Sequence, residues 1–96
     1  MVVDDIARLL KKEQEKLQSL GVRSLALFGS TARGEARVGS DVDFLVDFVG
    51  AATFDQYMGL KIFLEDLLGC SVDLVTRKRV RPELVPYVEQ EARRVA

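Results

Sequence analysis

The sequence has no histidine and no tryptophan, and only one cysteine and two prolines among its 96 residues. Without histidine there can be no Ser-His or Cys-His nucleophile pair and no imidazole zinc site. A lone Cys70 cannot form an internal disulfide, so nothing points to an oxidising compartment. No apolar run approaches the roughly 18 residues of a membrane span. Asp4, Asp5 and Arg8 interrupt the N-terminus where a signal peptide would need apolar residues. Fourteen basic and fifteen acidic residues leave a formal net charge of −1, so no overall field recruits nucleic acid or an anionic membrane. A cytoplasmic protein with no membrane and no direct nucleic-acid role is the expectation. Its chemistry must run on carboxylates, hydroxyls, basic side chains or bound metal.

What is present suits folding into one domain over residues 1–96. Hydrophobic residues make up 48% and charged residues 30%, which argues against disorder. A chain of this mass can remove about 10,000 Å² from water on folding, enough for one modest core. No repeat or low-complexity tract interrupts it.

Residues 4–20 read as a helix, with Asp4 as cap, Ile6, Leu9, Leu10, Leu17 and Leu20 on one side, and Gly21 as stop. Glu13 falls inside that apolar stripe, so the face is imperfect. Ser24–Phe28 is a short strand leading into Gly29-Ser30, with a helical turn or two over 30–36. Asp41–Phe48 alternates, with Val42, Phe44, Val46 and Phe48 on one face and Asp41, Asp43, Leu45 and Asp47 on the other. Thr53 caps a helix over 54–68, which buries Phe54, Tyr57, Met58, Leu64, Leu67 and Leu68 and ends at Gly69. Ser71–Val75 is a third strand, with Asp73 opposite Val72 and Leu74. A basic stretch, Arg77-Lys78-Arg79 and Arg81, precedes one kinked or two short helical pieces at Pro82 and Pro86. The fold class is α/β (α+β), a small mixed β-sheet flanked by helices in the order αβ(α)βαβα.

Three features bear on chemistry. Gly29-Ser30, where a strand gives way to a loop or helix start, offers backbone N–H groups and a hydroxyl to phosphate. Asp41 and Asp43, two apart on one strand face, can converge on one cation or flank a pair. Asp73 joins them if the second and third strands are neighbours. Three such carboxylates repel one another unless a cation sits among them, and an oxygen-only set suits Mg²⁺ or Mn²⁺. Two such ions about 3.5–4 Å apart can hold the attacking and leaving oxygens of a phosphoryl-type displacement.

Gly29-Ser30, ten residues, then Asp41-Val42-Asp43 is the signature of the DNA polymerase β-like nucleotidyltransferase superfamily. The stretches 29–37, 40–46 and 72–76 resemble the minimal nucleotidyltransferase (MNT) antitoxins encoded beside HEPN-domain toxins. That resemblance covers roughly residues 20–85 and implies the nucleotidyltransferase fold, with roles for named residues. Gly29 and Ser30 would hold the triphosphate of ATP. Asp41, Asp43 and Asp73 would be the catalytic and metal-binding set for two Mg²⁺ ions, and Arg33 would neutralise the departing pyrophosphate. The implied reaction is transfer of AMP from ATP to a tyrosine of a HEPN ribonuclease, which silences that toxin. An antitoxin of the same fold that only occludes its partner is the alternative, and a nucleotide-sensing module is a third reading. Larger superfamily members add a domain that grips base and acceptor; a site open on one side would instead be completed by the acceptor protein.

Plainer readings stand beside these. The Asp-x-Asp pair can be two solvated strand-end residues, Gly29 a turn, and Ser30 a helix cap. Asp47 shares the acidic face but lies outside the motif and is expected to be solvated. Arg37 is expected to pair with surface acids. The 77–81 basic run suits a solvated loop, or a contact to a HEPN surface or to phosphates. Cys70 is expected to pack as a small apolar residue, and Tyr57 and Tyr87 in core or interface.

Overall fold

Alternation along the strands determines how the sheet is built. The computed structural model describes residues 3–28 and 42–96. Its strands are β1 (Val22–Leu27), β2 (Val42–Phe48), β3 (Val72–Thr76) and a two-residue β4 (Arg93–Arg94). They form one sheet in the order β3-β2-β1-β4. β2 runs parallel to β3 and antiparallel to β1, and β4 is antiparallel to β1, so the sheet is mixed as expected. Leu25, Leu27, Val42, Phe44, Val46, Phe48, Val72 and Leu74 are buried on one face. The register shift between Val22 and Ser24 explains how Val22 joins them. Val22 and Leu25 are three residues apart and cannot share a face in a regular strand; the bulge at Arg23 restores the phase. The strand therefore begins two residues earlier than the apolar run suggested.

Helices cover the apolar face. Ile6 and Leu10 of α1 (Val3–Lys11), Leu17 of α2 (Gln14–Ser19), and Leu60, Leu64 and Leu68 of α3 (Phe54–Leu68) complete the hydrophobic cluster. The single helix expected over 4–20 is thus two helices. The break falls at Lys12–Glu13, where a carboxylate would otherwise sit in the middle of the buried stripe. There the Glu13 N–H bonds back to the Leu10 carbonyl at 2.9 Å and the Glu13 carbonyl accepts from Leu17 N at 3.0 Å, so the second helix starts afresh. Glu13 is half-buried rather than sealed in the core.

α3 is bounded by local chemistry, as the sequence indicated. The Thr53 hydroxyl accepts from Gln56 N at 3.1 Å and the Gln56 side chain accepts from Thr53 N at 2.9 Å, a reciprocal capping box. Gly69 closes the helix in the left-handed region at φ 69°, where a side chain would be strained. Its buried face differs from expectation. Leu60 is fully buried and Phe63 packs against the core, whereas Met58 lies outside the core cluster and Phe54 is 76% exposed because the first turn extends past the edge of the core.

The C-terminus departs further. The 3₁₀ turns Arg77–Arg79 and Pro82–Leu84 and helix α4 (Val85–Glu91) match the expected short pieces around Pro82 and Pro86. The chain then becomes β4 rather than remaining helical. Leu25 N donates to the Ala96 carbonyl at 3.0 Å, and Val95 N donates to the Leu25 carbonyl at 2.9 Å. The outer edge of β1 is closed by these bonds. The bracketed helical turn over 30–36 lies outside the described residues. No helix among the described residues is long and apolar enough to cross a membrane.

Candidate active site

The second face of the sheet carries the acids. In the parallel pairing of β2 with β3, Asp43 stands directly opposite Asp73, and Phe44 opposite Leu74. Neighbouring strands lie about 4.8 Å apart, and registered partners point the same way. Phe44 and Leu74 point into the core, so both aspartates project from the other face. Asp43 is half-buried and Asp73 exposed. The condition set by the sequence, that the second and third strands be neighbours, is met. Two carboxylates side by side are of the residue type that could hold a hard divalent cation.

Asp41, Gly29, Ser30 and Arg33, with Arg37, lie outside the described residues. Among the described residues no group of three acidic or thiol ligands forms, and Asp43 and Asp73 are the two candidate ligands they contain. The chain leaves β1 at Phe28, whose N–H donates to the Asp43 carbonyl at 3.1 Å. Gly29-Ser30 therefore follows in sequence from a residue bonded to the Asp43 backbone.

Three side chains that the motif did not single out hold Asp73 in place. β3 is an edge strand, and α3 runs along its outer side. The Tyr57 hydroxyl donates to the Leu74 carbonyl at 2.7 Å, and Lys61 Nζ donates to the Val72 carbonyl at 2.5 Å. Glu65 accepts from Val72 N at 3.0 Å and pairs with Lys61 at 3.7 Å. Tyr57, Lys61 and Glu65 are spaced four apart, hence on one stripe of the helix. They satisfy backbone groups of the two residues flanking Asp73, which leaves the edge closed to an added strand. The sequence signal was that spacing itself, visible only once β3 is known to lie beside α3.

Asp47 is not solvated as expected. Its side chain is 12% exposed and lies 3.9 Å from both Arg23 and Arg77. Arg77 also pairs with Glu89 on α4. The C-terminal piece is drawn over the second face by this chain of charges. It borders a 200 Å³ hollow floored by Ala26 and Leu45, beginning two residues along β2 from Asp43. Leu45 is buried there rather than in the main core.

A larger cleft of 680 Å³ lies at the opposite end of β2 and β3, bordered by Phe48, Phe54, Tyr57, Leu74, Lys78 and Arg79 among others. It does not include Asp43 or Asp73. This cleft is therefore not where the acids are.

Comparison with known proteins extends this geometry. A nucleotidyltransferase domain model matches residues 6–95. Protein adenylyltransferase MntA of Thermococcus cleftensis is 36% identical over 92 residues, covering 95% of this chain and 93% of that protein. A Methanocaldococcus jannaschii protein, provisionally named a protein adenylyltransferase, is 38% identical over 91 residues, covering 92% of this chain and 88% of its own length. A solved structure described provisionally as a minimal nucleotidyltransferase superposes with a TM-score of 0.82 at 36% identity, covering 96% of this chain and 94% of that one. A toxin–antitoxin crystal structure with AMP-PNP superposes with a TM-score of 0.74 at 22% identity, covering 94% and 72% of the two chains. At that identity the likeness concerns the fold alone.

Proposed function

This chain belongs to the nucleotidyltransferase domain family, and from that premise we propose that it transfers AMP from ATP to a tyrosine of a HEPN-domain toxin and so acts as its antitoxin. The observation that carries the reading is the register of Asp43 with Asp73 on the second face of the sheet, opposite the core. The names of its relatives, protein adenylyltransferases among them, support the transferred group and the protein acceptor.

In this reading Asp43 and Asp73, with Asp41, would hold two Mg²⁺ ions, which would supply charge neutralisation to the phosphoryl, attacking and leaving oxygens. Gly29 and Ser30 would bind the triphosphate, and Arg33 would neutralise the departing pyrophosphate. The tyrosine oxygen forms a bond to the α-phosphorus as the bond from that phosphorus to the bridging oxygen of pyrophosphate breaks. Asp73, the more exposed of the two registered carboxylates, is available to take the tyrosine proton.

Intact mass spectrometry tests this directly. A cognate HEPN-domain toxin, incubated with the chain, ATP and Mg²⁺, should gain mass in whole AMP units, and the gain should vanish with Asp43→Asn. A stable complex of unchanged mass would replace this reading with neutralisation by occlusion.

A further inference from the structure

From the 680 Å³ cleft at the far end of β2 and β3 we infer a docking surface for the acceptor protein, separate from the transfer site and fitted to an apolar side chain flanked by carboxylates. The inference rests on the reading that the acceptor is a protein.

The cleft combines three properties seldom found together on an idle surface. Its floor is apolar, formed by Val46, Phe48, Leu74 and the Tyr57 ring. Two large apolar residues stand exposed beside it, Phe54 at 76% at its rim and Val49 at 59% next to Gly50. Phe54 opens α3 and gains nothing from the core, so its exposure needs another beneficiary. Aromatic anchors beside a pocket are the residues that dominate protein–protein contacts.

Charge identifies the occupant. Lys78 and Arg79 form the rim, within a run of four cations over residues 77–81. The one carboxylate bordering the cleft, Asp47, is shared between Arg23 and Arg77. Lys78 donates to the Gly50 carbonyl at 2.7 Å and so fastens the β2–α3 loop. Arg79 makes no ion pair among the described residues. The Thr76 hydroxyl, in the same lining, is buried with no hydrogen-bond partner among the described residues. An excess of positive charge around an apolar floor complements an acidic, apolar segment.

Position separates this surface from catalysis. Val46, the first β2 residue in the lining, is three residues beyond Asp43, about 10 Å along the strand. A protein seated at this end leaves the aspartates uncovered for its own tyrosine. Docking here lowers the KM of the intact acceptor without touching the chemical step.

The test compares two acceptors: an intact cognate HEPN-domain toxin, and short peptides that carry its tyrosines. Phe54→Ser and Arg79→Glu should each raise KM for the intact protein about tenfold or more. They should leave kcat, the transfer to peptides and the melting temperature unchanged. An unchanged KM for the intact protein overturns the docking surface, as does an equal loss with both acceptors. If the native chain modifies neither acceptor, the proposed reaction has failed, and calorimetry with the same HEPN protein then decides the surface alone. Weaker binding by both variants upholds it; unchanged binding, or none by the native chain, overturns it. Binding of a polyuridine strand that Arg79→Glu abolishes, with HEPN affinity unaltered, would assign the cleft to nucleic acid instead.

Discussion

Asp43 and Asp47 lie on the same face of the same strand, four residues apart, in opposite surroundings. Asp47 is nearly buried and flanked by Arg23 and Arg77, so its charge is used within the fold to hold the C-terminal piece. Asp43 stands in register with a second carboxylate, Asp73. Like charges on neighbouring strands destabilise the sheet that carries them. A carboxylate flanked by cations stabilises the folded chain, whereas two carboxylates set side by side favour a cation bound between them. Alternation adds a second contrast, since Phe44, between them in sequence, points away from both into the core.

The largest effect should come from the acid pair. Asp43→Asn or Asp73→Asn should slow AMP transfer about a thousandfold or more, the loss of several kcal/mol of charge stabilisation. Full turnover in either variant would break the contrast with Asp47. Next comes the core face. Phe44→Ala should cost about 3–5 kcal/mol in equilibrium unfolding, with transfer by the remaining folded fraction little changed. Tyr57→Phe, at the β3 edge, removes the donor to the Leu74 carbonyl and should cost about 1–1.5 kcal/mol. Amide exchange should then quicken in β3 more than in β1, and uniform quickening would count against a local fastening. The smallest effect belongs to Asp47→Asn, about 0.5–1 kcal/mol, because both contacts are long and the arginines are half exposed. That difference should shrink in 1 M salt, and a loss of transfer comparable with that of Asp43→Asn would sink its assignment as a structural acid.

Much of this was legible residue by residue. The ends of α3 follow from Thr53, Gln56 and Gly69 because capping is local, and β2 separates its apolar from its acidic face by simple alternation. Glu13 was visible as a flaw in the first helix. That the flaw becomes a break depends on what the stripe packs against, since a half-exposed stripe would tolerate a carboxylate. Phe54 was misplaced in the core for a related reason: helical phase says which side a residue is on, not how far along the helix the core extends. The β4 pairing was hidden because its strength lies in backbone bonds to Leu25, and backbone bonding leaves little mark on side-chain pattern.

Sequence alone determined which side chains share a face, where α3 begins and ends, and which residue types can perform the chemistry. These follow from backbone periodicity and from contacts within a few residues. Tertiary structure alone decided that β3 lies parallel to β2 with Asp73 level with Asp43, that α3 fastens the outer edge of β3, and that Asp47 sits between two arginines. Each of these joins residues of different elements, from seven to thirty positions apart in the chain. Their placement is set by burying the apolar faces of all the elements at once, a condition that no single stretch of sequence contains.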